Sequence, residues 1–257
     1  PAAVAAAPPP SPLPSPAIAP TAFGRYHALV IGNQAYRHLT KLKTPVADAR
    51  AVAELLRRDY GFQNVRLLTD ATRADMVRAF DDLRRQLTEQ DNLLIYYAGH
   101  GWLDREVDRG YWLGVDAEED TRANWLSNAD ITDTLRALKA KHVLIVADSC
   151  YSGTLVRDVG IRSLDAADLG RLARKRARTV LTSGGSEPVM DEGGAGHSVF
   201  ARAFIETLRE APRASDLTSL FGGLRRRVLL RAEQTPQYGD VRLSGHDGGD
   251  FIFLRAP

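Results

Sequence analysis

Two short apolar runs, each ending in a reactive side chain among small residues, constrain this chain most. Residues 91–101 read Asp-Asn-Leu-Leu-Ile-Tyr-Tyr-Ala-Gly-His-Gly, and residues 142–153 read His-Val-Leu-Ile-Val-Ala-Asp-Ser-Cys-Tyr-Ser-Gly. Both runs are too short for helices, rich in β-branched or aromatic residues, and apolar on both faces, which is the pattern of parallel strands buried in a sheet. His100 and Cys150 then fall just past the carboxyl ends of two such strands, the edge where open α/β sheets bind ligands. Cys150 is the only cysteine of the chain, so no internal disulfide can account for it.

A thiol attacks a carbonyl as thiolate, so it needs an imidazole nearby to take its proton. His100 is the candidate base. Gly99 and Gly101 let backbone come close to a substrate, and the amide N–H groups of Gly101 and Cys150 together form an expected oxyanion hole. A lone cysteine or a lone histidine is ordinarily a structural residue. Here each ends a hydrophobic strand, and the pairing carries the catalytic reading.

With 257 residues, 44% hydrophobic and 26% charged, the chain can bury one large core, and a single α/β domain is expected. The formal charge is only +2 and the arginines are interspersed with acids, so a nucleic-acid partner is not expected. No run of about 18 apolar residues is present, and no membrane span is expected. Residues 1–22 are almost wholly Pro, Ala and Ser, a composition that tends towards extended polyproline II and reads as a linker or tether. The chain does not open with Met, so an anchor or further domain ahead of residue 1 is compatible with it and localisation is not readable.

Along the rest, strands are expected over 26–31, 64–68, 93–98, 143–147 and 179–182. Helices are expected from Pro45, from a cap at Asp70 or Thr72, over 127–140, 198–208 and 217–231. Residues 111–115 predict a small accessory hairpin, and 250–254 a terminal strand that closes the sheet. The alternation predicts a mostly parallel sheet covered by helices on both faces. Residues 155–178 carry seven basic side chains and read as an exposed connection, with Leu164, Leu169 and Leu172 giving an amphipathic helix as the competing reading.

Tyr-Tyr-Ala-Gly-His-Gly and Asp-Ser-Cys-Tyr-Ser-Gly resemble the two signatures of caspase-like cysteine peptidases, metacaspases and their bacterial relatives above all. The resemblance runs from about Phe23 to Leu254 and takes in Ala-Leu-Val-Ile-Gly-Asn at 28–33 and Gly-His-Ser-Val-Phe-Ala at 196–201. It implies an α/β, caspase-like three-layer sandwich whose last strand runs antiparallel, with a large portion over about 23–155, the connection at about 155–178 and a small portion over about 178–257. It also implies His100 as general base and acid and Cys150 as nucleophile, acting on protein or peptide substrates. Tyr151 departs from the pattern, since metacaspases commonly carry His there.

Asp148 lies two residues before Cys150, and Asp48 matches an acidic pocket residue of metacaspases. Two acids in a water-poor pocket favour a guanidinium, which pairs in a planar fork, so cleavage after Arg or Lys is expected, whereas true caspases cut after Asp. An enzyme of that preference is expected to be able to cut its own basic connection at 155–178. An ordinary first-turn helix acid is the competing reading for Asp48. Several metacaspases need calcium; Asp104, Asp108, Asp116, Glu118, Glu119 and Asp120 form an acidic segment, but without the spacing of a calcium loop they read as a solvated loop. No metal site and no required cofactor are expected. The rival function is a catalytically silent caspase-like scaffold or binding module, against which the intact His100 and Cys150 speak.

Overall fold

The computed structural model describes residues 23–149, 156–158, 166–184 and 196–256. In chain order it runs Arg25–Gly32 (β1), Pro45–Tyr60 (α1), Asn64–Thr69 (β2), Arg73–Gln86 (α2) and Asp91–Ala98 (β3). Then come Gly101–Asp104 (β4), Arg109–Leu113 (β5), Trp125–Ser127 (β6), Asn128–Ala137 (α3) and His142–Asp148 (β7). The second half holds Val156–Asp158 (β8), Ala166–Leu172 (α4), Ala177–Thr182 (β9), Val199–Glu210 (α5), Ala214–Asp216 (β10), Leu217–Leu229 (α6), Gln237–Val241 (β11) and Ile252–Leu254 (β12).

The helices begin where local chemistry starts them. Pro45 opens α1 with a preset φ, and Gly61 closes it in the left-handed region at φ 60°. Thr72 with Asp75, and Ser127 with Asp130, form reciprocal capping boxes at α2 and α3, so that two otherwise orphaned amides are satisfied at each start.

Seven strands form the main sheet in the order β2-β1-β3-β7-β9-β11-β8, with β2, β1, β3, β7 and β9 parallel. Alternate residues feed two layers. Ala28, Val30, Leu94, Tyr96, Leu144 and Val146 pack with residues of α1, α5 and α6, while Leu29, Ile31, Leu93, Ile95, Val143 and Ile145 pack with those of α2 and α3. The result is the helix-sheet-helix sandwich that strands apolar on both faces require. Among the described residues, no helix is long and apolar enough to cross a membrane.

The antiparallel strand is β11, paired to β9 on one side and β8 on the other. Residues 250–254 do not close the main sheet as expected: β12 pairs with β10 in a separate two-stranded sheet. Phe251, Ile252 and Phe253 are buried all the same, with Phe251 against Tyr26 and Phe253 against Tyr60, so the apolar run marked burial without naming its neighbour. The expected hairpin is a three-stranded antiparallel sheet, β4-β5-β6.

The basic connection is corrected at its end. Arg178 belongs to β9 and is fully buried, its five N–H donors meeting five backbone carbonyls, those of Leu135, Leu138, Ala140, Lys141 and Ala177, at 2.7–3.1 Å. Three of these carbonyls lie in the turn after α3, where Leu138 also accepts from Arg176 Nη2 at 2.7 Å and Lys141 from the Ala177 amide at 3.1 Å, so the guanidinium completes the capping of that helix end. Leu169 and Leu172 pack against the core, whereas Arg171, Arg174 and Lys175 are exposed.

Candidate active site

The register of β3 against β7 sets the site. Ala98 pairs with Asp148, so the residues two beyond each partner, His100 and Cys150, follow neighbouring strand ends. Cys150 and Tyr151 lie outside the described residues; the chain is described as far as Ser149, which is buried. Gly99 turns the chain out of β3 at φ 157°, and its amide donates to the Asp148 carbonyl at 3.3 Å. A Cβ there would sit 2.6 Å from the Tyr36 hydroxyl and 2.9 Å from that of Tyr97, so only glycine fits.

Those two hydroxyls hold the backbone of His100 from both sides. Its amide donates to Tyr36 Oη at 2.7 Å, and its carbonyl accepts from Tyr97 Oη at 2.6 Å. Burial pushes the Tyr36 phenol well above its ordinary pKa, which keeps it protonated. The His100 ring lies at 4.6 Å from the Tyr36 ring, with Nε2 2.7 Å from the Thr40 carbonyl. A carbonyl can only accept, so Nε2 carries the proton and Nδ1 offers a lone pair. Gly101 opens β4, immediately after the imidazole.

The structure brings the two sequence-predicted acids together. Asp48, in the first turn of α1, is 1% exposed, and Asp148, at the end of β7, is 5% exposed. Ser198 joins them: its Oγ donates to Asp148 Oδ2 at 2.5 Å and its amide donates to Asp48 Oδ2 at 3.3 Å. The same Oγ accepts from the Ala201 amide at 2.9 Å and so caps α5. His197 Nδ1 lies 2.6 Å from Asp48 Oδ1. Burial raises the pKa of Asp48, against hydrogen bonds from His197, Thr44 and the Ser198 amide that lower it. Tyr96 is buried beside both acids; burial first, and then their charges, push its hydroxyl far above the ordinary range. Asp48 is therefore no surface helix acid, since its carboxyl points into the protein.

His197 and Ser198 are the residues that sequence reasoning did not assign. Their signal was present in Gly-His-Ser-Val-Phe-Ala, where a serine before an apolar helical run is a helix cap; nothing in that pattern says which acids it meets.

His100 also lines a cavity of about 490 Å³, walled by Leu39, Leu113, Trp102 and Trp125 and lined too by Thr40, Gly101 and Glu119. Two members of the acidic segment are engaged in the architecture around it: Asp104 pairs with Arg122 at 3.0 Å, and Asp116 accepts from the Arg73 amide at 3.0 Å.

The chain has counterparts among known proteins. The family model described as a caspase domain matches residues 25–245. Human mucosa-associated lymphoid tissue lymphoma translocation protein 1 is 33% identical over 124 residues, 48% of this chain and 15% of that protein. Metacaspase-1 of Saccharomyces cerevisiae is 27% identical over 150 residues, covering 52% and 34% of the two chains, and metacaspase-1A of Neurospora crassa 27% over 197 residues, covering 70% and 43%. The chain thus spans less than half the length of each of these curated relatives. Among solved structures, caspase-1 of Spodoptera frugiperda superposes with a TM-score of 0.63 at 14% identity over 85% of this chain and 87% of the other. Protein GSU0716 of Geobacter sulfurreducens gives 0.61 at 19% identity, over 88% and 99%. The match across nearly the whole described chain, together with a like fold, makes this a member of the caspase-domain family of peptidases.

Proposed function

We propose that the chain is a cysteine endopeptidase that cuts after Arg or Lys. The Cys150 thiol, deprotonated by His100 Nδ1, attacks the scissile carbonyl, and the amides of Gly101 and Cys150 receive the oxyanion. Collapse of that intermediate expels the amine, which takes the proton from His100, and leaves a thioester on Cys150. Water, activated by the same imidazole, then hydrolyses the thioester.

The observation that carries this reading is the fixed imidazole. With Nε2 committed to the Thr40 carbonyl and the backbone held by Tyr36 and Tyr97, His100 has one orientation and one basic nitrogen, two residues past the strand position that pairs with Asp148. The preference for a cation before the cut is supported by Asp48 and Asp148, two buried acids sharing one serine. A buried carboxylate pair takes a guanidinium better than any neutral side chain.

The test is a set of fluorogenic peptides varied at the residue before the cut, with Cys150→Ala as control and Asp148→Asn as pocket variant. Cleavage confined to Arg and Lys peptides, lost in Cys150→Ala and weakened on the order of 2–5 kcal/mol in Asp148→Asn, is expected. A preference for Asp or an apolar residue ends the acidic-pocket reading.

A further inference from the structure

We propose that the cavity beside His100 receives the side chain of the substrate residue that follows the cut, and that it selects a basic residue there, Arg first. The proposal rests on the cysteine-peptidase reading and concerns the side of the scissile bond that the acidic pocket does not touch.

The position follows from proton transfer. An imidazole that protonates the departing amine lies within about 3 Å of that nitrogen. The amine is the backbone nitrogen of the first residue released, and its side chain begins one bond away, at Cα. A cavity that His100 itself lines is therefore within reach of that side chain. The acidic pocket lies elsewhere, on the α1 and α5 face of the sheet where Asp48 and Ser198 meet, whereas the cavity lies against β4, β5 and β6.

The walls define what would bind. Trp102, half exposed at 50%, meets Trp125 with ring centroids 5.7 Å apart at 52°. Trp125 is fixed from behind by Tyr111, edge-on at 5.5 Å, and by its indole N–H donating to the Glu118 carbonyl at 3.0 Å. Leu39 and Leu113 add aliphatic surface, and Glu119, which is exposed, is, among the described residues, the only acidic or basic side chain lining the cavity apart from His100. An aromatic pair with aliphatic surface and a single carboxylate complements a long apolar stem carrying a cation. The guanidinium lies flat on an indole face and pairs with the carboxylate, while its methylenes cover the leucines. A volume of about 490 Å³ holds such a side chain and leaves Gly or Ala without contacts. An acidic residue would face Glu119 with like charge.

The experiment uses the full chain and internally quenched peptides with Arg fixed before the cut and Arg, Lys, Leu, Trp, Gly or Asp after it. Arg is expected to exceed Gly about tenfold in kcat/KM, with Lys next and Asp lowest. In Trp102→Ala the Arg-to-Gly ratio falls towards one. Glu119→Gln lowers the Arg-to-Leu ratio, an effect that loss of apolar surface would not produce. A flat profile after the cut, or Leu and Trp above Arg and Lys, overturns the proposal while leaving the peptidase reading intact. Absence of cleavage in the whole series, and in a second series varied before the cut, overturns both.

Discussion

His197 holds Asp48: the imidazole Nδ1 and the carboxylate Oδ1 are 2.6 Å apart, although 149 positions separate the two residues in the chain. Ser198 takes the other oxygen, so the acid that is expected to receive a substrate cation already has protein partners on both sides. His197 is itself only partly covered, its side chain 28% exposed, and it occupies a lone pair that a guanidinium would need.

His197→Ala is therefore expected to lower KM for Arg substrates by about tenfold with kcat nearly unchanged, because a hydrogen bond to a charged group no longer has to be displaced. His197→Asn, which keeps a short donor, should stay close to the parent. A raised KM in His197→Ala would mark the ring as a wall of the pocket instead.

Replacing either member of the proposed dyad removes the chemistry. His100→Ala and Cys150→Ala should each abolish cleavage, and the double variant should be no worse than either alone, as expected of groups acting as a unit. Circular dichroism should be unchanged in all three. Activity surviving in either single variant would falsify the dyad.

Arg178 is expected to matter for stability. Arg178→Met removes one donor from each of five carbonyls, of which those of Leu138 and Lys141 are also met by Arg176 Nη2 and the Ala177 amide, at a cost of about 3–5 kcal/mol. Arg178→Lys restores the charge but brings three donors in another geometry, so it should recover only part of the loss. Urea midpoints at constant slope measure both. A change below about 1 kcal/mol in Arg178→Met would show that water reaches these carbonyls.

Asp250 is buried and accepts from Tyr238 Oη, from the amide and hydroxyl of Thr218, and from the Phe251 amide. Burial outweighs these donors and pushes its pKa up to about 6. A raised folded-state pKa means that the native protein binds more protons than the unfolded chain between about pH 4 and pH 6. The stabilisation is full below the ordinary carboxylate pKa and is lost as pH climbs through 6, by roughly 2–3 kcal/mol. Unfolding of the parent and Asp250→Asn across pH 4 to 7.5 should show this decline in the parent only; a parent that gains stability relative to the variant over that window contradicts it.

If the enzyme cuts itself, the structure restricts where. Arg171, Arg174 and Lys175 are exposed beyond or at the end of α4, whereas Arg178 is enclosed in β9. Mass spectrometry of the parent beside Cys150→Ala is expected to find fragments ending at Arg157, Arg171, Arg174, Lys175 or Arg176, or at Arg162, which lies outside the described residues, in the parent alone and none ending at Arg178. An intact, fully active parent would show that no cut is needed.

The strands and helices that carry the site were legible in the residues because burial imposes a local pattern. The strands before His100 and Cys150 are buried at every position and unbroken apolar over 93–98 and 143–147, which a covered strand tolerates, and the caps Thr72, Ser127 and Ser198 lie just ahead of amphipathic turns. Periodicity records whether a position is buried and says nothing of its neighbour. Residues 250–254 read as a strand closing the main sheet; a strand forms over 252–254, yet it pairs with β10 and not with the main sheet. Arg178 read as exposed because charge is costly to bury; only the folded chain converges five carbonyls on it. Asp48 and Asp148 were named from sequence, but the serine that joins them and the histidine that covers one of them come from a helix start some 50 and 149 positions away. Local pattern determined the elements and the reactive strand ends; contacts between distant segments, which depend on how the layers pack, brought His197 and Ser198 to Asp48 and Asp148.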